Sequence, residues 1–305
     1  MLLSMKKLSS FFCLAALSLI CVSTFFGQPL DPFQFRKLVV FGDSLSDNGN
    51  SFVQSGLPPA PYFEGRWSNG FNWVDDFPWI ALNYLPATAF LKDGGTDFAV
   101  GNDKSENLST QIATFLSNST ASPDALYVIW IGSNDFAAGI NPSTTAKNII
   151  NGINQLAAAG AKDIAVLNIP DISLTPTVIA RGGATISAAK NFVSTANNLL
   201  AIQAPGAASS RGINASLIDI NFVFTQLVQN PVAFGFTNST GAAFDTITGK
   251  VQPDPNDFLF WDGFHPTKNA HFFAAEFIYL SIIEQGQIFS GLESITSLTN
   301  GVQPH

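Results

Sequence analysis

Short apolar runs that stop at glycine or proline recur along this chain, with helical stretches between them. Leu38-Val39-Val40-Phe41 stops at Gly42, residues 125–131 stop at Gly132, and residues 163–169 close at Pro170. Runs of this length without polar alternation are the pattern of strands covered on both faces. A further strand is expected over 216–221. Helices are expected over 145–159, stopped by Gly160, over 184–203, and over 266–285, where Pro266 would take the first helical position. Alternation of this kind implies an α/β fold, a three-layer α/β/α sandwich around a central, mostly parallel sheet.

Composition narrows the class. Hydrophobic residues make up 46% of the 305 and charged residues 12%, which excludes a disordered chain. The start reads as a secretory leader: Lys6 and Lys7 precede an apolar run at 11–22 that is too short to span a bilayer. Residues 1–23 are therefore expected to be a signal peptide, 36–290 a single domain and 291–305 a tail. Removing the leader takes away Cys13 and Cys21, the only cysteines, so no disulfide is expected in the exported protein. It also takes Lys6 and Lys7 from 14 basic residues, leaving 12 against 22 acidic and a net charge near −10. Such a chain is repelled by nucleic acid. No later apolar run is long enough for a membrane helix, since the best, 272–283, is broken by Glu276.

The first strand delivers Gly42-Asp43-Ser44-Leu45, and a parallel sheet carries its chemistry at the carboxyl ends of its strands. A serine hydroxyl needs a base to attack anything at neutral pH. The chain holds three histidines: His305 is the last residue, His271 falls inside the final helix and reads as a packing residue, and His265 sits just before Pro266 on the loop entering it. Asp262, three residues earlier, is placed to accept a hydrogen bond from the imidazole and leave the other ring nitrogen for the serine. Taken alone, Asp262 with Gly263 also reads as a turn. After the strand at 125–131 comes Gly132-Ser133-Asn134-Asp135, where an asparagine amide can donate to a developing oxyanion or simply cap a helix. A strand-like stretch around Phe98-Ala99-Val100 ends at Gly101, whose N–H is free to point into a site. Two usable histidines six residues apart, without cysteine, give no metal-ligand spacing, and no cofactor is expected.

In this order, Gly42-Asp43-Ser44-Leu45, Gly101, Gly132-Ser133-Asn134-Asp135 and Asp262-Gly263-Phe264-His265 resemble the blocks of the GDSL, or SGNH, hydrolases. Residues 62–75 are similar to the loop after the first block in secreted bacterial phospholipases and haemolysin-type lipases. The resemblance implies a flavodoxin-like sandwich, Ser44 as nucleophile, His265 as general base and Asp262 orienting it. It also implies an oxyanion hole made by the N–H groups of Ser44 and Gly101 with the Asn134 side chain. Asn102 stands where the family often has a second glycine, so the backbone donor falls on either residue. The implied activity is release of fatty acid from lysophospholipids or related esters, with acyl transfer as a side activity. Transient contact with a membrane or micelle is expected, and no obligate protein partner. Two other readings compete: an acetylesterase stacking polysaccharide on Trp67, Trp73 and Trp79, and a non-catalytic binding protein on a hydrolase scaffold.

Overall fold

A computed structural model describes residues 24–26, 35–81 and 84–287. The expected leader at 1–23 and tail at 291–305 lie outside the described residues. Five strands form the central sheet: β1 (Thr24–Phe26), β2 (Lys37–Gly42), β3 (Ala125–Trp130), β4 (Asp163–Leu167) and β5 (Asn214–Ile218). Their spatial order is β1-β5-β4-β3-β2, with β2 to β5 parallel and β1 antiparallel at the edge. Helices follow in chain order: α1 (Asn50–Ser55), α2 (Trp73–Ile80), α3 (Phe90–Asp93), α4 (Leu108–Asn118), α5 (Ser133–Ala137), α6 (Pro142–Ala158), α7 (Pro176–Ala180), α8 (Gly183–Arg211), α9 (Ile220–Gln229) and α10 (Lys268–Gln287).

Strand side chains point alternately to the two faces, which is why every residue of β3 and β4 is buried. Leu38, Val40, Leu126, Val128 and Leu167 pack with α2, α9 and α10. Val39, Phe41, Tyr127, Ile129 and Val166 pack with α4, α6 and the second half of α8 on the other face. Each such aliphatic or aromatic side chain gains about 1.5–3 kcal/mol on leaving water. The result is the three-layer α/β/α sandwich that the alternation predicts.

Several boundaries differ from expectation for local reasons. α6 starts at Pro142 because Asn141 accepts the Ser143 N–H and Pro142 occupies the first helical position. α8 continues through Pro205 to Arg211, and Gly212 in the left-handed region ends it. β5 stops at Ile218, where the Asp219 side chain accepts the Phe222 N–H and starts α9. α10 begins at Lys268, not at Pro266: Pro266 bridges back to Phe260, and the Thr267 hydroxyl donates to the Phe258 carbonyl. His265 keeps its place on the loop. The stretch before Gly101 is no regular strand but runs along β2, with Val40 donating to Thr96, Phe98 to Val40 and Val100 to Gly42.

Register then places the reactive loops together. Gly42 lies opposite Trp130, so β2 and β3 end level and their following loops open at one edge of the sheet. A smaller parallel pair, β6 (Asn238–Ala242) with β9 (Phe258–Phe260), delivers the loop 261–267 to the same edge. Between them, β7 (Phe244–Asp245) and β8 (Lys250–Val251) form a short antiparallel hairpin.

Candidate active site

Gly42 ends β2 in a close approach. A Cβ there would meet the Trp130 carbonyl oxygen at 2.5 Å, so no larger residue fits without displacing β3. The N–H groups of Ser46 and Asp47 both donate to the Asp43 carbonyl, winding residues 43–47 into a turn that holds Ser44 at the cleft floor. Below the turn, the Asp47 carboxylate accepts the N–H groups of Gly49, Asn50 and Ser51, and Asn50 Nδ2 donates to the Asp97 and Ala99 carbonyls. The residues after the serine thus bind the 97–101 segment to the serine turn.

His265 is held from three directions. Its Nε2 lies 2.9 Å from Ser44 Oγ, and its Nδ1 lies 2.7 Å from Asp262 Oδ2. Trp67 stacks against the imidazole, with ring centroids 5.1 Å apart and planes tilted by 33°. Asp262 Oδ1 accepts the N–H groups of Phe264 at 2.8 Å and His265 at 2.7 Å. Oδ2 also accepts the Tyr62 hydroxyl at 2.6 Å. A carboxylate that can only accept requires the hydrogen on Nδ1, which leaves the Nε2 lone pair for the serine hydroxyl. Burial works against ionisation of Asp262, but the His265 ring, the Tyr62 hydroxyl and the backbone N–H hold its pKa down at about 2.

On the opposite side stands Asn134, in the first turn of α5. One hydrogen of its Nδ2 goes to the Asp103 carbonyl at 2.9 Å, and the other is unassigned beside the cleft. Gly101 requires a correction. Its N–H donates to Asp47 Oδ2 at 2.8 Å and Ser51 Oγ at 2.6 Å, so it is already taken and not free for an oxyanion. Among the described residues, neither Asn102 N–H nor Ser44 N–H has an acceptor, and Asn102 sits at φ +67°, a left-handed conformation that asparagine tolerates. Asn102 is the residue whose backbone donor is free. The neighbouring Asp135 is fully buried and accepts from Ser105 and Thr145, a structural anchor between the 103–105 loop and α6.

A cavity of about 540 Å³ opens above Ser44. Leu45, Phe136, Ile172, Val178, Phe224 and Val228 line it, together with Trp67 and Leu57. Apart from Leu45, which belongs to the Gly42–Leu45 block, none of the first six was marked by the sequence, because they come from α5, the turn at 172–174, α7 and α9, and only the fold collects them. Trp73 is fully buried against Trp130, and Trp79, although exposed, lies outside the cavity. Three tryptophans do not form a sugar platform here. Nor did the sequence reveal Tyr62 and Trp67 as neighbours of the triad, although both lie on or beside the aromatic stretch 62–75. His271 is fully buried, and burial pushes its pKa down to about 3. Among the described residues no group of three or more histidine, cysteine, aspartate or glutamate side chains is clustered to hold a metal.

The family model described as GDSL-like Lipase/Acylhydrolase matches residues 38–278. A phosphatidylcholine-sterol acyltransferase of Aeromonas hydrophila is 30% identical over 254 residues, covering 77% of this chain and 72% of that protein. A thermolabile hemolysin of Vibrio parahaemolyticus is 28% identical, over 81% of this chain and 64% of its own length. Lipase 1 of Photorhabdus luminescens is 26% identical, over 80% of this chain and 49% of its own length. This chain therefore spans less than two thirds of the latter two relatives. Matched from β2 into α10, a span that includes every loop building the cleft, the chain belongs to the GDSL-like lipase/acylhydrolase family.

Proposed function

We propose that the protein is an exported serine esterase that releases fatty acid from lysophospholipids or related lipid esters. The observation that carries this reading is the bonded series Tyr62, Asp262, His265 and Ser44 opening into a largely apolar cavity of about 540 Å³, within the usual size range of small-molecule sites. Family membership makes the chain a hydrolase; the lipid substrate, the route of export and the roles below are our reading.

Ser44 Oγ attacks the ester carbonyl while His265 Nε2 takes its proton, and Asp262 stabilises the resulting imidazolium. The tetrahedral oxyanion receives the N–H groups of Ser44 and Asn102 and the second Nδ2 hydrogen of Asn134. A donor of this kind is worth on the order of 100- to 1,000-fold in rate. His265 then protonates the leaving alcohol, which departs and leaves an acyl group on Ser44. Water, deprotonated by the same nitrogen, attacks the acyl-enzyme to release the fatty acid and restore the serine. An alcohol in the place of that water gives acyl transfer.

Phe52 and Val53 of α1, Leu57 and Phe264 are exposed, and Leu57 and Phe264 also line the cavity, which suits transient contact with a micelle or membrane face. Export through the leader at 1–23 suits such a substrate. Fatty-acid release from a lysophospholipid panel, beside acetate release from acetylated xylan, tests the substrate class. Hydrolysis confined to acetyl esters would overturn the lipid reading. Ser44→Ala should cut turnover of a p-nitrophenyl ester by at least about ten-thousandfold, and an unchanged rate would overturn the serine mechanism.

A further inference from the structure

One charge in the cleft wall has no part in the ester chemistry. α7 docks on the loop that carries the acid and base: the Thr177 N–H donates to the Gly263 carbonyl at 3.0 Å. The Arg181 N–H in turn donates to the Thr177 carbonyl at 3.3 Å, closing the last turn of α7. Arg181 therefore stands one helical turn, about 6 Å, beyond the residue bonded to the Asp262–His265 loop. Arg181 lines the same cavity as Ser44 and His265, and no other lysine or arginine among the described residues does. It is exposed and forms no ion pair among the described residues. Among the described residues the wall's one carboxylate is Asp171, which accepts the Ser173 N–H at 3.0 Å and does not pair with Arg181.

A guanidinium without an ion pair on the wall of the cavity that holds Ser44, in a chain of net charge −8, offers a bound ester's anionic group a charge partner. We propose that Arg181 is the subsite for the phosphodiester of the substrate, reached when the scissile carbonyl sits at Ser44. The planar fork of arginine matches two phosphate oxygens, and Arg181 and Ser44 line one cavity, which a single bound lipid ester can occupy. This inference rests on the lipid-ester reading above and adds the headgroup to it.

The test uses the intact protein and inhibition of p-nitrophenyl ester turnover by two non-hydrolysable probes, an alkyl phosphocholine and the alcohol of the same chain length, both below their micelle concentrations. In Arg181→Gln the alkyl phosphocholine should lose about tenfold in affinity relative to the alcohol, and Arg181→Lys should recover part of that loss. An equal ratio of the two inhibition constants in wild type and Arg181→Gln overturns the subsite. Fatty-acid release from a lysophosphatidylcholine and a monoacylglycerol, measured alongside, decides the lipid reading separately. If neither lipid is cleaved that reading fails, while the inhibitor ratio still decides the role of Arg181.

Discussion

Asp262 collects four donors on two oxygens: two backbone N–H groups, the imidazole and the Tyr62 hydroxyl. Asp262 Oδ2, which bonds His265, is the oxygen that Tyr62 also reaches, so Tyr62 is placed to position the proposed base by way of the carboxylate. Tyr62→Phe keeps the ring, which packs edge-on against Trp67, Phe244 and Trp261, and removes only the donor. We expect kcat to fall about tenfold with KM for a p-nitrophenyl ester little changed. Stability gives a second readout. Asp262 ionises at about 2 in the fold against 3.8 unfolded, so its contribution is full above pH 4 and lost as pH falls through 2. Tyr62→Phe gives up part of that contribution. Its melting temperature should lie below wild type at pH 6, and the gap should close towards pH 2. An unchanged kcat, or a gap that widens on acidification, would remove Tyr62 from the positioning role.

The elements that carry the site are joined by close contacts, and one of them is at Gly263. A Cβ at Gly263 would meet Thr177 Oγ1 at 2.1 Å, where α7 rests on the acid–base loop. Gly263→Ala should therefore destabilise the fold by about 1–3 kcal/mol in denaturant titration and lower kcat more than KM, since it shifts His265 against Ser44. Retention of full kcat would mean that α7 does not position the loop. Local pattern made the strands legible: β2, β3 and β4 are apolar runs with clear stops, and the loops beyond them were readable because glycine and proline mark them. What the sequence concealed depends on contacts between distant segments. Tyr62 and Asp262 are 200 residues apart, and only the packed fold shows their bond. The engagement of the Gly101 N–H was hidden for the same reason, because it follows from the place of Asp47.

Across the whole molecule, buried carboxylates set the response to pH. Burial raises the pKa of Asp43 to about 7, and it also raises those of Asp47 and Asp97. Asp43 is almost wholly enclosed; its Oδ1 accepts the Leu45 N–H, and its Oδ2 has no partner among the described residues. A carboxyl with a raised folded pKa contributes stability that is full below its unfolded pKa of 3.8 and is lost as pH rises through about 7. Asp43→Asn removes that titration while keeping an acceptor for Leu45. Melting temperatures followed from pH 4 to pH 8 should fall more steeply in wild type than in Asp43→Asn, and parallel curves would contradict the assignment. The bond by which Asp47 takes up the Gly101 N–H has another consequence. Through it, Asp47 ties the segment carrying Asn102 to the turn carrying Ser44, so the proposed nucleophile and the proposed oxyanion donor are braced by one carboxylate. Activity followed on heating should therefore fall together with this part of the fold rather than ahead of it.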